Sequence, residues 1–329
     1  MSLLGSETTI ELALERGEFL PGEEVAARVT VGGDPDERIQ AGRVELVYEN
    51  SYLYRSRDRM HDSHDVGGSR ETVSTTKTVT VATQPLPRGS QTAVAPGIHA
   101  VSLTLPPNAP PTALESEGRV REPVRWEVRA ILDRRMSVDP DSTAPIVVRS
   151  RPDQHAAWAL QQPLSGPVCQ MNLEQLSARD VRLGDTISGV LGIVPSSEFE
   201  GRGVRVQLTR KRIDTPDDMT TTYDEPRVQL AGETRFEPGR ALRYPFQLTV
   251  PEDVPPSFVA MYNHHHLYLE GVIDLRMKGD YTVAAELNVY SGPPGAVAPP
   301  APAGWYPDPW SQATQRYWDG AQWTGHTHA

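Results

Sequence analysis

Cysteine is almost missing. Cys169 is the only one in 329 residues, so no disulfide can close within the chain, and a small buried hydrophobe is its natural role. Lysine is nearly as scarce: Lys77, Lys211 and Lys278 are the only three among 32 basic residues. That bias reads as the codon usage of a GC-rich genome more than as an arginine-built site. No run of 18 apolar residues occurs, which removes a membrane-spanning helix and direct membrane insertion. The start "MSLLGSETTIELALERGEFL" lacks the basic segment and apolar core of a secretory signal. Together these absences lead us to expect a cytoplasmic protein, with a peripheral membrane location through a partner as the variant.

Positive charge is also in deficit. Asp and Glu number 43 against 32 Lys and Arg, a net charge of −11. Broad nucleic-acid binding needs a basic field to displace counterions, so nucleic acid is excluded as a partner class. Signatures of catalysis are missing too: no G-x-S-x-G elbow, phosphate-cradling G-x-x-x-x-G-K-[ST], dinucleotide G-x-G-x-x-G or H-E-x-x-H is present. No enzyme and no cofactor are expected.

What the chain has in abundance is chain breaks, 30 prolines and 26 glycines, set between stretches that alternate. Val124, Trp126, Val128, Ala130 and Leu132 interleave with Arg125, Glu127 and Arg129, the period of a strand with one buried face. Comparable runs are expected as strands near 8–14, 24–31, 43–54, 71–82 and 97–105. They resume near 168–177, 186–193, 203–212, 226–230, 242–250, 267–277 and 280–290. Short strands separated by turn formers such as "PGEE" and "PEDVPP" argue for antiparallel sandwiches.

The pattern is written twice. "EFLPGEEVAARVTV" at 18–31 returns as "DVRLGDTISGVLGI" at 180–193, and "LTLPPNAPPT" at 103–112 as "LTVPEDVPPS" at 248–257. "WEVRAILDRR" at 126–135 returns as "LYLEGVIDLRM" at 267–277. Three echoes in one order predict a tandem β-sandwich, 1–149 and 168–290, joined by a linker at 150–167 whose "HAAWALQQ" has room for two helical turns. The proline pairs predict a strand that stops at Pro106, stays extended through Pro110 and Pro111, and crosses to the other sheet. The second copy does so from Pro251 through Pro255 and Pro256.

The ordered set Phe19-Leu20-Pro21-Gly22-Glu23, Pro96-Gly97-Ile98-His99, Leu105-Pro106 with Pro110-Pro111-Thr112, and Ile131-Leu132-Asp133 resembles the arrestin-like fold. "VTVGGDPDERIQAGRVELV" at 29–47 resembles in particular the bacterial sporulation-control family. The resemblance covers about residues 8–290 and implies an all-β fold of two tandem arrestin-like sandwiches. It also implies an adaptor or scaffold for protein partners, membrane proteins among them, in sporulation, stress or cell-envelope regulation. No counterpart of the buried charge network of eukaryotic arrestins is identifiable in the sequence.

Residues 291–303, "SGPPGAVAPPAPA", hold five prolines and form a semi-rigid spacer. Behind it, 304–329 carries four of the six tryptophans. Gly304 to Pro309, Arg316 to Gly320, and Trp323-Thr324 resemble a short domain of unknown function of GC-rich Gram-positive bacteria. "RYWDGAQWT" predicts a small β-hairpin turning at Asp319-Gly320. Trp305, Tyr306, Trp310, Trp318 and Trp323 are the candidate partner-binding residues, as a platform for an extended or proline-rich peptide. The opposite reading stacks Trp305, Tyr306 and Trp318 on Pro307 and Pro309 as a minimal core that Trp323 closes. His61 and His64, and His264 and His266, are weak metal candidates. An alternative function is a sandwich that binds a small molecule, glycan or metal through loops at 55–70 and 213–225.

Overall fold

The computed structural model describes residues 8–33, 36, 38–56, 71–116, 118–152, 154, 161–162, 164–165, 168–276, 279–293, 304–307, 313–318 and 323–328. Within them the regular structure is strand, apart from a single 3-10 turn at Thr215–Asp217. Alternation is the cause: along Glu24–Gly32 every second residue, Val25, Ala27, Val29 and Val31, is buried.

Eight strands make the first half: β1 (Thr9–Leu14), β2 (Glu18–Phe19), β3 (Glu24–Gly32), β4 (Ile39–Ser56), β5 (Glu71–Pro85), β6 (Gly97–Thr104), β7 (Val124–Arg134) and β8 (Asp141–Val148). They form two sheets, β1-β3-β6 and β2-β8-β7-β4-β5. Val29, Val44, Leu46, Trp126, Val128 and their neighbours fill one core between them.

The second half holds β9 (Gln161–Gln162), β10 (Leu164–Ser165), β11 (Cys169–Glu174), β12 (Asp180–Arg182), β13 (Thr186–Pro195), β14 (Phe199–Gly201) and β15 (Gly203–Asp214). It continues with β16 (Met219–Ala231), β17 (Thr234–Phe236), β18 (Leu242–Thr249), β19 (Phe258–Val259), β20 (Asn263–Asp274) and β21 (Tyr281–Tyr290). Its sheets contain the orders β11-β13-β18 and β12-β21-β20-β15-β16, strand for strand the orders of the first half. In each half a short strand pairs in parallel, β2 with β8 and β12 with β21. A second core, separate from the first, is built from Ile187, Leu191, Val206, Leu208, Leu267 and Leu269 among others.

The echoed motifs do the same physical work twice. Leu20-Pro21-Gly22-Glu23 closes a turn through Glu23 N–H to Leu20 O at 3.1 Å, and Arg182-Leu183-Gly184-Asp185 closes its twin at 3.0 Å. Gly22 has φ 87° and Gly184 φ 88°, the left-handed third position of a type II turn. The carboxylate that follows reaches back to the first N–H, Glu23 to Leu20 at 2.8 Å and Asp185 to Arg182 at 3.3 Å. Gly22→Ala and Gly184→Ala are each expected to cost about 1–2 kcal/mol through the left-handed backbone alone. Thermal melts check this, and an unchanged melting temperature in both would remove the account.

The proline pairs also act alike. After β6 the chain leaves its sheet, and the residue behind Pro110-Pro111 pins it to the other one. Thr112 N–H donates to Val148 O at 2.8 Å while Thr112 Oγ1 accepts Val148 N–H at 2.9 Å. Behind Pro255-Pro256, Ser257 N–H donates to Val289 O at 2.8 Å and its Oγ accepts Val289 N–H at 3.0 Å. A hydroxyl residue that both gives and takes at one position explains why threonine in one copy becomes serine in the other. Pro110 O also accepts the Trp126 indole N–H at 2.8 Å.

Four expectations change. The linker 150–167 is not wholly a connector: Gln161–Gln162 pairs with β21 and Leu164–Ser165 with β11, and the remaining "HAAWAL" lies outside the described residues. The stretch 213–225 is not a loop. The β-branched run Thr220–Thr222 extends β16 back to Met219, leaving only the turn at Thr215–Asp217. Strand β8 had no alternating signal because Pro145 interrupts it, and it tolerates that proline at an outer position. The C-terminal segment is not a two-strand hairpin but a three-stranded antiparallel sheet: β22 (Gly304–Pro307), β23 (Gln315–Trp318) and β24 (Trp323–His328). Its outer strand ends in Pro307, which hid it from a search for alternation.

Candidate functional site

Even-numbered residues of β15 face inward: Val204, Val206 and Leu208 are fully buried in the second core. The same face continues as Arg210, Arg212 and Asp214, all buried. On β20 the inward stripe likewise turns from Leu269 and Leu267 to His265 and Asn263. The register sets Arg212 opposite His265 and Asp214 opposite Asn263. One end of the second sandwich is therefore polar where its core pattern calls for aliphatic side chains, and that end meets the first half.

Glu115, from the segment between β6 and β7, enters this end. Its Oε2 accepts from Arg212 Nη1 and from the Tyr223 hydroxyl, each at 3.0 Å. Its Oε1 lies 3.9 Å from Arg210 Nη1 and 3.8 Å from His265 Nε2. Arg212 also donates through Nε to Asp214 at 3.2 Å, and the Arg210 guanidinium lies 3.9 Å over the Tyr223 ring. Two guanidiniums thus balance two carboxylates in a buried cluster. The sequence reading singles out none of these residues as a buried charge network.

Burial sets the protonation states. It pushes the Glu115 carboxyl up, against the pull of Arg212 and Arg210, and pushes Asp214 up against Arg212. Burial pulls the Arg212 guanidinium down, but Glu115 and Asp214 more than offset it and hold the charge. Tyr223 is pushed up to about 12 by burial and by Glu115. His265, buried beside Arg210 and Arg212, is held well below its ordinary value and is neutral.

An amide clasp stands beside the ionic one. Asn50 Nδ2 donates to Pro123 O at 2.9 Å and to Asn263 Oδ1 at 3.0 Å, and Asn50 Oδ1 accepts the Tyr262 N–H at 2.8 Å. Asn263 Nδ2 returns a bond to Ser51 O at 2.7 Å. Both asparagines are fully buried. Around them Tyr52 stacks on Tyr262 at 4.7 Å, and Phe258 stacks on His265 at 5.4 Å. Phe258 and Ala260 belong to the core of the first half although they follow β18 in the chain.

Of the candidates singled out in the sequence, Trp305 is 40% exposed on the C-terminal sheet. Its ring contacts are Tyr317 at 5.3 Å and His328 at 3.9 Å. The alternative stacking on Pro307 and Pro309 involves side chains that lie outside the described residues. Tyr306 lies on β22, and Trp318 and Trp323 are register partners of β23 and β24. Trp310, His61 and His64 lie outside the described residues. His264 and His266 share the outward face of β20, their rings 6.2 Å apart. Burial and His266 lower His264 to about 4, and His266 Nδ1 sits 2.7 Å from Glu286. Among the described residues no group of three or more His, Cys, Asp or Glu is placed to hold a metal.

The outer strands of the larger sheets are guarded. β16 carries Pro226 and two register shifts, and β18 carries Pro245. β5 carries Lys77 and slips one residue at Val81, where Leu46 pairs Ala82 and Val47 pairs Thr80. Proline, lysine and bulges all discourage addition of a further strand.

Residues 303–329 match the family described as "Protein of unknown function (DUF2510)". This agrees with the likeness read from "GWYPDP", "RYWDG" and "WT". No curated protein matches the chain. Among solved structures, the chain is similar to the crystal structure of Spo0M, a sporulation control protein from Bacillus subtilis. The identity is 14% and the TM-score 0.32; the match covers 37% of this chain and 49% of that one, about half its length. Among the described residues no helix is long and apolar enough to cross a membrane.

Proposed function

We propose that the chain is a non-enzymatic adaptor. Two arrestin-like sandwiches of duplicated origin form its body, and the C-terminal aromatic sheet, on its proline-rich spacer, makes the contact with a protein partner. The observation that carries this reading is Trp305, a large ring left 40% exposed on a small sheet, while the outer strands β5, β16 and β18 of the body carry lysine, proline or a bulge. Linking such a contact to the body raises its effective concentration at any second contact the body makes. The proposed setting is cytoplasmic, at the membrane only through a partner protein. A role in sporulation, stress or envelope regulation rests on the arrestin-like resemblance.

Affinity capture from the native host tests the proposal. Deleting 291–329 is expected to leave a folded body and remove the partners retained by the full chain. Trp305→Ala is expected to weaken the same contact about 30-fold, as for an interface anchor worth about 2 kcal/mol. Equal recovery of the same partners by the full and shortened chains would sink the role given to the tail.

A further inference from the structure

We propose that the two halves form one rigid body whose association does not depend on the peptide that joins them. The junction has three layers, each drawing on both halves. In the first, Phe258 and Ala260 of the second half complete the apolar core of the first. In the second, Asn50 and Asn263 bind each other and each other's backbone, with Tyr52 stacked on Tyr262 beside them. In the third, Glu115 of the first half is the carboxylate held by Arg212 and Tyr223 of the second.

Further contacts tie the rim. Arg55 N–H donates to Asp217 at 2.6 Å, and Ser150 exchanges bonds with Ser291, whose N–H donates to Ser150 Oγ at 2.9 Å. Gly292 N–H donates to Ser150 O at 2.9 Å. Two sandwiches that met only through a polar, wet surface would swing about their linker. Here rotation would draw aromatic rings out of a core and leave buried amides and guanidiniums without acceptors, so a hinge has no low-cost path. An adaptor built this way holds whatever its two free ends contact at one fixed spacing.

The test is a cut. A protease site placed at residues 155–160 of the full chain is cleaved, cleavage is confirmed on a denaturing gel, and the product is run beside the uncut protein by size exclusion. The cut protein is expected to elute at the position of the intact 36.2 kDa chain and to melt in one transition. Introducing Asn50→Ala together with Glu115→Ala is expected to move most of the cut material into two separate peaks. Separation of the cut protein without those substitutions, or two melting transitions in the uncut chain, would overturn the proposal. Neither reading needs the double variant to fold.

Discussion

Glu115→Ala is expected to destabilise the protein by about 3–5 kcal/mol, the range for removing one partner of a buried ion pair. The cause is what stays behind: Arg212, 1% exposed, keeps its charge and Asp214 but loses a bond of 3.0 Å, and the Tyr223 hydroxyl loses its acceptor. Glu115→Gln keeps the acceptor while deleting the charge, so it should cost less than alanine. Pairing Glu115→Leu with Arg212→Met should not recover the loss, since it leaves buried Asp214 without Arg212 and buried Arg210 without Glu115. Chemical denaturation measures all three. A loss below about 1 kcal/mol for the alanine variant would show that water reaches the cluster and that it behaves as a surface pair.

Trp126→Ala is expected to cost a similar amount, about 3–5 kcal/mol, for a different reason. The ring is fully buried in the first core, 4.9 Å from Tyr48. Its indole N–H holds the carbonyl of Pro110 as the chain crosses between sheets. Trp126→Phe separates the two contributions. It retains most of the packing and breaks the bond, for an expected loss of about 1–3 kcal/mol from the freed carbonyl and the smaller ring. Equal losses for alanine and phenylalanine would mean that the crossover bond, not the packing, dominates.

Much of the fold was legible because a half-buried strand advertises itself with period two, and because proline and glycine have few uses. Pro21-Gly22 and Leu183-Gly184 could be read as turns, and the two proline pairs as crossovers. Strand β8 escaped because "DSTAPIVV" does not alternate and contains Pro145. The junction escaped for a subtler reason. In "GVRVQLTRKRID" the inward phase set by Val204, Val206 and Leu208 already selects Arg210, Arg212 and Asp214. Following that phase past the last leucine would have exposed three charged residues on a core face. Their partner Glu115 sits in an irregular segment 95 residues earlier in the chain (210 − 115), where no periodicity can point to it. Period two also splits the three consecutive histidines, since His264 and His266 face outward while His265 faces in.

The loan of Phe258 and Ala260 to the first core has a consequence for biosynthesis. A ribosome delivers residues in order, and a domain folds as soon as its last structural residue has left the exit tunnel. The strands of the first half end at Val148, yet its core stays incomplete until the segment through Ala260 has emerged, more than 100 residues later. During that interval, about 6–22 seconds at ordinary elongation rates of about 5–20 residues per second, an open face of the first sandwich is exposed to chaperones and to neighbouring nascent chains. Completion should therefore be a late event of high sequence separation, slow by the same loop-closure logic that slows other β-rich folds. A chain halted at residue 200 is expected to leave that face unfinished.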